Sequence, residues 1–173
     1  MWKYIVKDIT DVLRYLPFGI VAGVLIAVVL HGLNRRRCER DKTPLRTGAL
    51  SCFFAYAVVI LCITFFSRES GSRQGIDLKL WSTWGINARN NAFVIENVLL
   101  FVPYGFLCAW NFKPLKKLIP CVFAGACSSL FIETLQLLTR RGYFQIDDIL
   151  TNTLGALVGY LLFWLIHCIH ETR

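Results

Sequence analysis

Residues 15–34 read YLPFGIVAGVLIAVVLHGLN, from Tyr15 to Asn34, and contain no Asp, Glu, Lys or Arg. A helix of that length, 20 residues, covers about 30 Å, the thickness of the hydrocarbon core of a bilayer. The pattern returns along the chain. Thr47 to Ser67 is again free of charge. Phe93 to Phe112 carries only Glu96, Leu118 to Leu138 only Glu133, and Ile149 to Ile169 no charge. The expected fold is therefore all-α: a polytopic membrane helix bundle of about five transmembrane helices. Its spans fall near 15–34, 47–67, 93–112, 118–138 and 149–169. Pro17 and Pro103 are compatible with this, because neighbouring helices can re-satisfy the backbone in a membrane. Pro103, in mid-span, is expected to kink the third helix.

Composition agrees. Apolar residues make up 55% of the chain and charged residues 17%, against roughly 45–50% and about 25% in soluble domains. The net charge of +8 sits mostly in short loops between apolar blocks, as membrane topology requires. Nucleic acid is therefore not an expected partner. Six of the seven cysteines lie in apolar blocks, and Cys38 alone sits in a polar loop. No Cys-x-x-Cys or Cys/His spacing is present, so they read as small hydrophobes, with no metal and no cofactor expected.

Two segments fall outside the spans. In residues 1–14, Trp2, Ile5, Ile9, Val12 and Leu16 recur at helical spacing, with Lys3, Lys7, Asp11 and Arg14 between them. That describes an amphipathic helix in the membrane interface, preceding the transmembrane domain of 15–173. The apolar stretch after Arg14 is too long for a secretory signal and lacks a small-residue cleavage site, so it is expected to remain as an anchor. Residues 68–92 form the one long polar connection, an ordered loop with Trp81 and Trp84 as interfacial anchors.

Charge sets the orientation. Arg35, Arg36, Arg37, Arg40, Lys42 and Arg46 form the densest basic cluster, which the positive-inside rule places in the cytoplasm. Lys113, Lys116 and Lys117 then fall inside as well. The N-terminus and the loop 68–92 go outside, and the C-terminus is cytoplasmic. His31, His167 and His170 lie at helix ends on the cytoplasmic side.

Span parity then gathers the unusual residues at one face. Glu96 and Asn97 open the third span, Glu133 and Gln136 close the fourth, and Asp147, Asp148 and Asn152 open the fifth. Arg140 and Arg141 join the last two, and Arg68 and Arg73 lie in the adjoining loop. A charge inside a bilayer helix costs about 2.5–3.5 kcal/mol on insertion scales, and Glu133 lies roughly 9 Å deep. It needs a partner, a proton or a polar cavity. Glu133, Gln136 and Arg140 share one helix face, as do Asp148, Asn152, Gly155 and Gly159. Gly155-x-x-x-Gly159, like Gly19-x-x-x-Gly23, allows another helix to approach closely. Such polar contacts can simply hold a bundle together. As a set, intramembrane ionisable groups point to function. No Gly-x-Ser-x-Gly, His-Glu-x-x-His or phosphate-binding loop is present.

At these residues the sequence resembles the VanZ-like family of bacterial integral membrane proteins. Glu96 to Leu107, ENVLLFVPYGFL, is similar to the family's Asn-apolar-Phe-x-Pro-x-Gly block at Asn97, Phe101, Pro103 and Gly105. Ile132 to Tyr160 is similar to its second block at Glu133, Gln136, Arg141, Asp147, Asp148, Asn152, Gly155 and Gly159. The resemblance covers roughly residues 45 to 165. It departs at Lys79-Leu80-Trp81, where Ile-Pro-Phe is expected, and at Gln145, where an acidic residue is frequent. The family's name comes from a protein of low-level resistance to teicoplanin, a glycopeptide acting on cell-wall precursors, so a cell-envelope role is implied.

Three functions fit. The first acts on or near a lipid or a lipid-linked cell-wall precursor. Glu133 and Asp148 would be acid/base or orienting groups, and Arg141 would hold an anionic head group. Glu96, Asn97, Gln136, Asp147, Asn152, Arg68 and Arg73 would bind. Gly155, Gly159, Pro103 and Gly105 would set helix packing. The second is a non-enzymatic scaffold or shield of the cell-wall machinery, working through the outer loop. The third is a small transporter, which the one-sided placement of the polar groups disfavours. Whether the protein is an enzyme stays open. Membrane lipids are expected partners, with a lipid-linked precursor or a glycopeptide as candidates.

Overall fold

A computed structural model of the chain describes residues 1–69, 71 and 73–171, with the side chains of Ile9, Asp11, Arg73, Gln74 and Glu171 not described. Helix α1 (Trp2–Val12) passes through one 3-10 turn, Leu13–Tyr15, into α2 (Leu16–Cys38). The others are α3 (Thr47–Leu61), continued by a π-helical turn at Cys62–Phe66, then α4 (Ala88–Asn111), α5 (Leu118–Leu138) and α6 (Ile146–Glu171). Among the described residues, five helices are long and apolar enough to cross a membrane. The architecture is the expected all-α bundle. At its edge, β1 (Arg73–Asp77) and β2 (Arg141–Gln145) pair in parallel, from Arg73 opposite Arg141 to Asp77 opposite Gln145.

Small residues bring the spans together. Gly155 meets the Val98 carbonyl and Gly159 the Val102 carbonyl, while Gly105 lies against the Ala156 backbone. A Cβ at any of these three positions would collide with backbone, so α4 and α6 touch main chain to main chain. A Cβ on Gly125 would come within 2.5 Å of the Ala156 methyl, which brings α5 onto α6. Gly19 and Gly23 pack α2 on α3 at Val59 and Ala55. The core between α3, α4, α5 and α6 is filled by Ile60, Phe101, Ile132 and Ala156, and by a second group of Cys108, Ala109, Cys121 and Tyr160. All seven cysteines are free.

Helix α4 runs through Pro103 without interruption. Proline lacks the N–H that would close the preceding turn, which loosens the carbonyls there. The carbonyl left without that N–H is Leu99, and the Tyr56 hydroxyl donates to its neighbour, the Leu100 carbonyl, at 2.7 Å. At its start, the Asn87 side chain accepts from the Arg89 and Asn90 N–H groups at 3.0 and 2.8 Å, a side-chain N-cap. Helix α1 is tied to the same helix: Ile5 is buried, and the Arg89 guanidinium lies over the Tyr4 ring, 5.9 Å from its centroid.

The bundle has two unlike ends. One holds Arg35, Arg36, Arg37 and Arg46, with Lys113, Lys116 and Lys117 on the α4–α5 connection. There Arg46 donates to the Trp110 carbonyl at 3.1 Å and Tyr160 to the Lys116 carbonyl at 3.1 Å. The other end holds the start of α4, the end of α5, the start of α6 and the strand pair.

Candidate functional site

Glu133 is placed by the last turns of α5 and is 2% exposed. Its Oε2 accepts the backbone N–H of Gln145 at 3.0 Å, where β2 hands over to α6. One turn on, Gln136 is 1% exposed. Its amide nitrogen donates to the Thr64 carbonyl at 2.7 Å, and its Oε1 accepts from Arg68 Nη1 at 3.2 Å. The Thr64 carbonyl lies in the π-helical turn, whose wider spacing is marked by Ser67 N–H bonding the Cys62 carbonyl at 2.9 Å. A π turn alters the carbonyl register of a helix and recurs at functional sites. Here it coincides with a carbonyl bonded to another helix.

On the facing helix, Asp148 Oδ1 accepts the Asn97 amide at 2.8 Å. Among the described residues, the guanidinium of Arg68 is a cation within Coulombic reach of both Glu133 and Asp148. Gly142 of β2 makes room for it: a Cβ there would lie 2.5 Å from Arg68 Nη1 and 3.1 Å from Gln136 Oε1. Deeper in, the Asn152 amide donates to Ser129 Oγ at 2.9 Å. The Asn152 Oδ1 is buried without a hydrogen-bond partner among the described residues.

Arg141, expected to hold an anion, is turned elsewhere. Its Nη1 donates to the Phe65 and Arg68 carbonyls at 3.3 and 2.7 Å, and its guanidinium stacks over the Phe65 ring at 4.8 Å. It closes the carbonyl end of the second span and so fixes the backbone of Arg68. Arg140 takes a left-handed turn at φ 55°, and its carbonyl accepts from Gly71 at 2.9 Å. The backbone of Arg73 pairs with Arg141; its side chain lies outside the described residues.

Asp147 serves the loop. It is buried, its Oδ1 accepts the Trp81 N–H at 2.6 Å, and its Oδ2 accepts the Thr83 N–H at 3.1 Å. Asp77 grips the same turn, accepting from the Ser82 hydroxyl at 2.7 Å and the Lys79 N–H at 3.0 Å. The Ser82 hydroxyl, and after it the Lys79 N–H, holds the Asp77 carboxyl below the usual carboxylate range.

Glu96 lies on the α1-facing side of α4. With Asp8, Arg14, Tyr56, Arg68 and Asn97 it lines a cavity of about 670 Å³ between α1, α3 and α4. The Asp8 and Glu96 side chains face each other there, and Glu96 Oε1 is buried without a hydrogen-bond partner among the described residues. Arg68 and Asn97 belong to both settings: they line the cavity, and they touch Gln136 and Asp148 behind it. The structure thus brings Glu133, Gln136, Asp148, Asn97 and Arg68 together, with Glu96 beside them. It places Arg141 and Asp147 one step outward, as holders of the chain around the site.

Sequence reading missed Asp8, Tyr56, Ser129 and the Gln145 N–H. Asp8 sits among the charges of an amphipathic helix, and nothing in its local pattern marks it as facing a span. Among the described residues, no three His, Cys, Asp or Glu side chains are grouped to hold a metal ion.

A family model described as VanZ/LLP1 matches residues 53–167. That interval holds the cluster residues drawn from α3 to α6, and α1 and α2 precede it. Protein VanZ of Enterococcus faecium is 36% identical over 72 residues, which is 42% of this chain and 44% of that protein. The matched region thus spans less than half the length of that relative. No solved structure matches.

Proposed function

The chain belongs to the VanZ-like family of multi-pass membrane proteins, and on that premise we propose that it acts in the bacterial cell envelope on or beside a lipid-linked cell-wall precursor. Its effect there contributes to resistance of the teicoplanin type. The site is the polar end of the bundle, on the outer side, with the basic loops and the C-terminus in the cytoplasm.

The observation that carries this reading is the placement of buried Glu133 and of Asp148 behind a cavity whose wall includes Arg68, bonded to Gln136, and Asn97, bonded to Asp148. A purely architectural pair would be best served by closed packing. Here the shared cation and Asn97 form the cavity wall. Arg68 is the group that meets an anionic head group or phosphate. Glu133 and Asp148 accept or orient protons of the bound group. Arg141 is a positioning residue that acts through Arg68.

A second reading is favoured by the loop. Ile76, Leu78, Leu80, Trp81, Trp84 and Ile86 are all exposed at the same end, an apolar surface suited to shielding a partner. One experiment separates the two. Asp148→Asn and Trp81→Ala are expressed to equal membrane levels in a teicoplanin-sensitive host, and susceptibility is measured. Loss of protection in Asp148→Asn with retention in Trp81→Ala supports the cluster. The opposite result supports shielding.

A further inference from the structure

A second recess lies on the other flank of α4, between α4 and α6, with a volume of about 320 Å³. Val94, Ile95 and Val98 form one wall, Leu150 and Leu154 the other, and Trp81 and Trp84 close its top. We propose that this groove binds one acyl chain of a membrane phospholipid, with the two tryptophans as its roof. The inference goes beyond the reading of the polar cluster and does not depend on it.

The occupant follows from place and chemistry. Both walls belong to membrane spans, and Leu99, Leu150 and Leu154 at the groove are 48%, 40% and 47% exposed. What reaches such residues in a bilayer is hydrocarbon. The volume falls within the range of small-molecule sites, and the recess is concave where an ordinary lipid-facing flank is convex.

The roof is built. Trp81 holds a left-handed backbone at φ 60°, a conformation that is costly for a residue other than glycine. Buried Asp147 offsets that cost by accepting the N–H groups of Trp81 and Thr83. Indole rings prefer the head-group level, with an apolar body against chains and a polar edge toward water.

The test uses the full chain in detergent, titrated with phosphatidylcholine brominated on its acyl chains, with tryptophan fluorescence as the readout. The expected result is a quenching phase complete near one lipid per protein. That phase is lost in Trp81→Phe/Trp84→Phe, which removes the two of the five tryptophans that line the groove. It is also lost in Leu150→Phe/Leu154→Phe, which fills the groove from exposed positions. Native mass spectrometry should then show one retained phospholipid in the parent and none in the filled variant. Quenching that only rises in proportion to added lipid means annular contact and overturns the proposal. So does a saturating phase that survives in the filled variant. Neither outcome bears on teicoplanin protection, so this proposal and the function proposed above fail separately.

Discussion

Gln136 uses both ends of its side-chain amide, donating to the Thr64 carbonyl and accepting from Arg68. Replacing it by Leu strands a buried carbonyl and loosens the guanidinium. Leaving a buried polar group unpaired costs about 1–3 kcal/mol, so Gln136→Leu should unfold at a lower temperature in detergent. A Gln136→Leu protein as stable as the parent would show that the carbonyl finds another partner. Arg141 and Arg68 should separate in a similar way. Arg141→Ala removes donors from two carbonyls and should lower stability and function together. Arg68→Lys keeps the charge but not the planar fork, and should reduce protection against teicoplanin at near-normal stability. The sequence made both arginines visible at this end. It could not say which guanidinium faced the acids, because a turn of three or four residues reverses a side chain's direction without changing its spacing.

At the scale of elements, the spans were legible because a charge-free run of bilayer length has few other uses. The Gly155/Gly159 stripe was legible for the same reason, since close helix approach requires it. Replacing Gly159 by Leu should part α4 from α6 at the Val102 carbonyl. Overpacking of this kind costs typically about 1–3 kcal/mol, to be read as reduced accumulation in membranes. The strand pair was not legible. β1 reads RQGID, too short and too charged to show alternation, and its partner lies far along the chain. The loop it begins is held partly by Asp77, whose carboxyl stays ionised below the usual range. A lowered folded-state pKa gives a contribution that is complete above the unfolded value and fades as pH falls through the folded one. Hydrogen exchange at residues 79–83 should therefore quicken, relative to its intrinsic rate, only in strongly acidic solution. Asp77→Asn should show the faster exchange already at neutral pH.

For the whole molecule, parity of the spans placed the polar groups at one end before any contact was visible. The contacts then distinguished residues that face one another from residues that hold the chain around them. Asp8 shows the limit of that reasoning. It reaches Glu96 only because α1 folds against α4, and a helix's docking partner is not written in its own periodicity. The proposed orientation is open to a direct check. Cys38 lies in the basic end and is exposed, so an impermeant thiol reagent should leave it unlabelled in intact cells. A cysteine introduced by Leu78→Cys should be labelled. Reversal of that pattern would invert the assignment of sides.

Glu133 is a carboxyl buried among the spans, behind the cavity wall formed by Arg68 and Asn97. The most direct test of its role is teicoplanin susceptibility of cells carrying Glu133→Gln, normalised to the amount of protein in the membrane and to its unfolding temperature in detergent. Glutamine matches the shape and keeps an acceptor for the Gln145 N–H. Loss of protection is expected, with amount and stability close to the parent. Full protection by Glu133→Gln, or loss that merely tracks a fall in folded protein, would contradict this and make the cluster a fastening of the bundle.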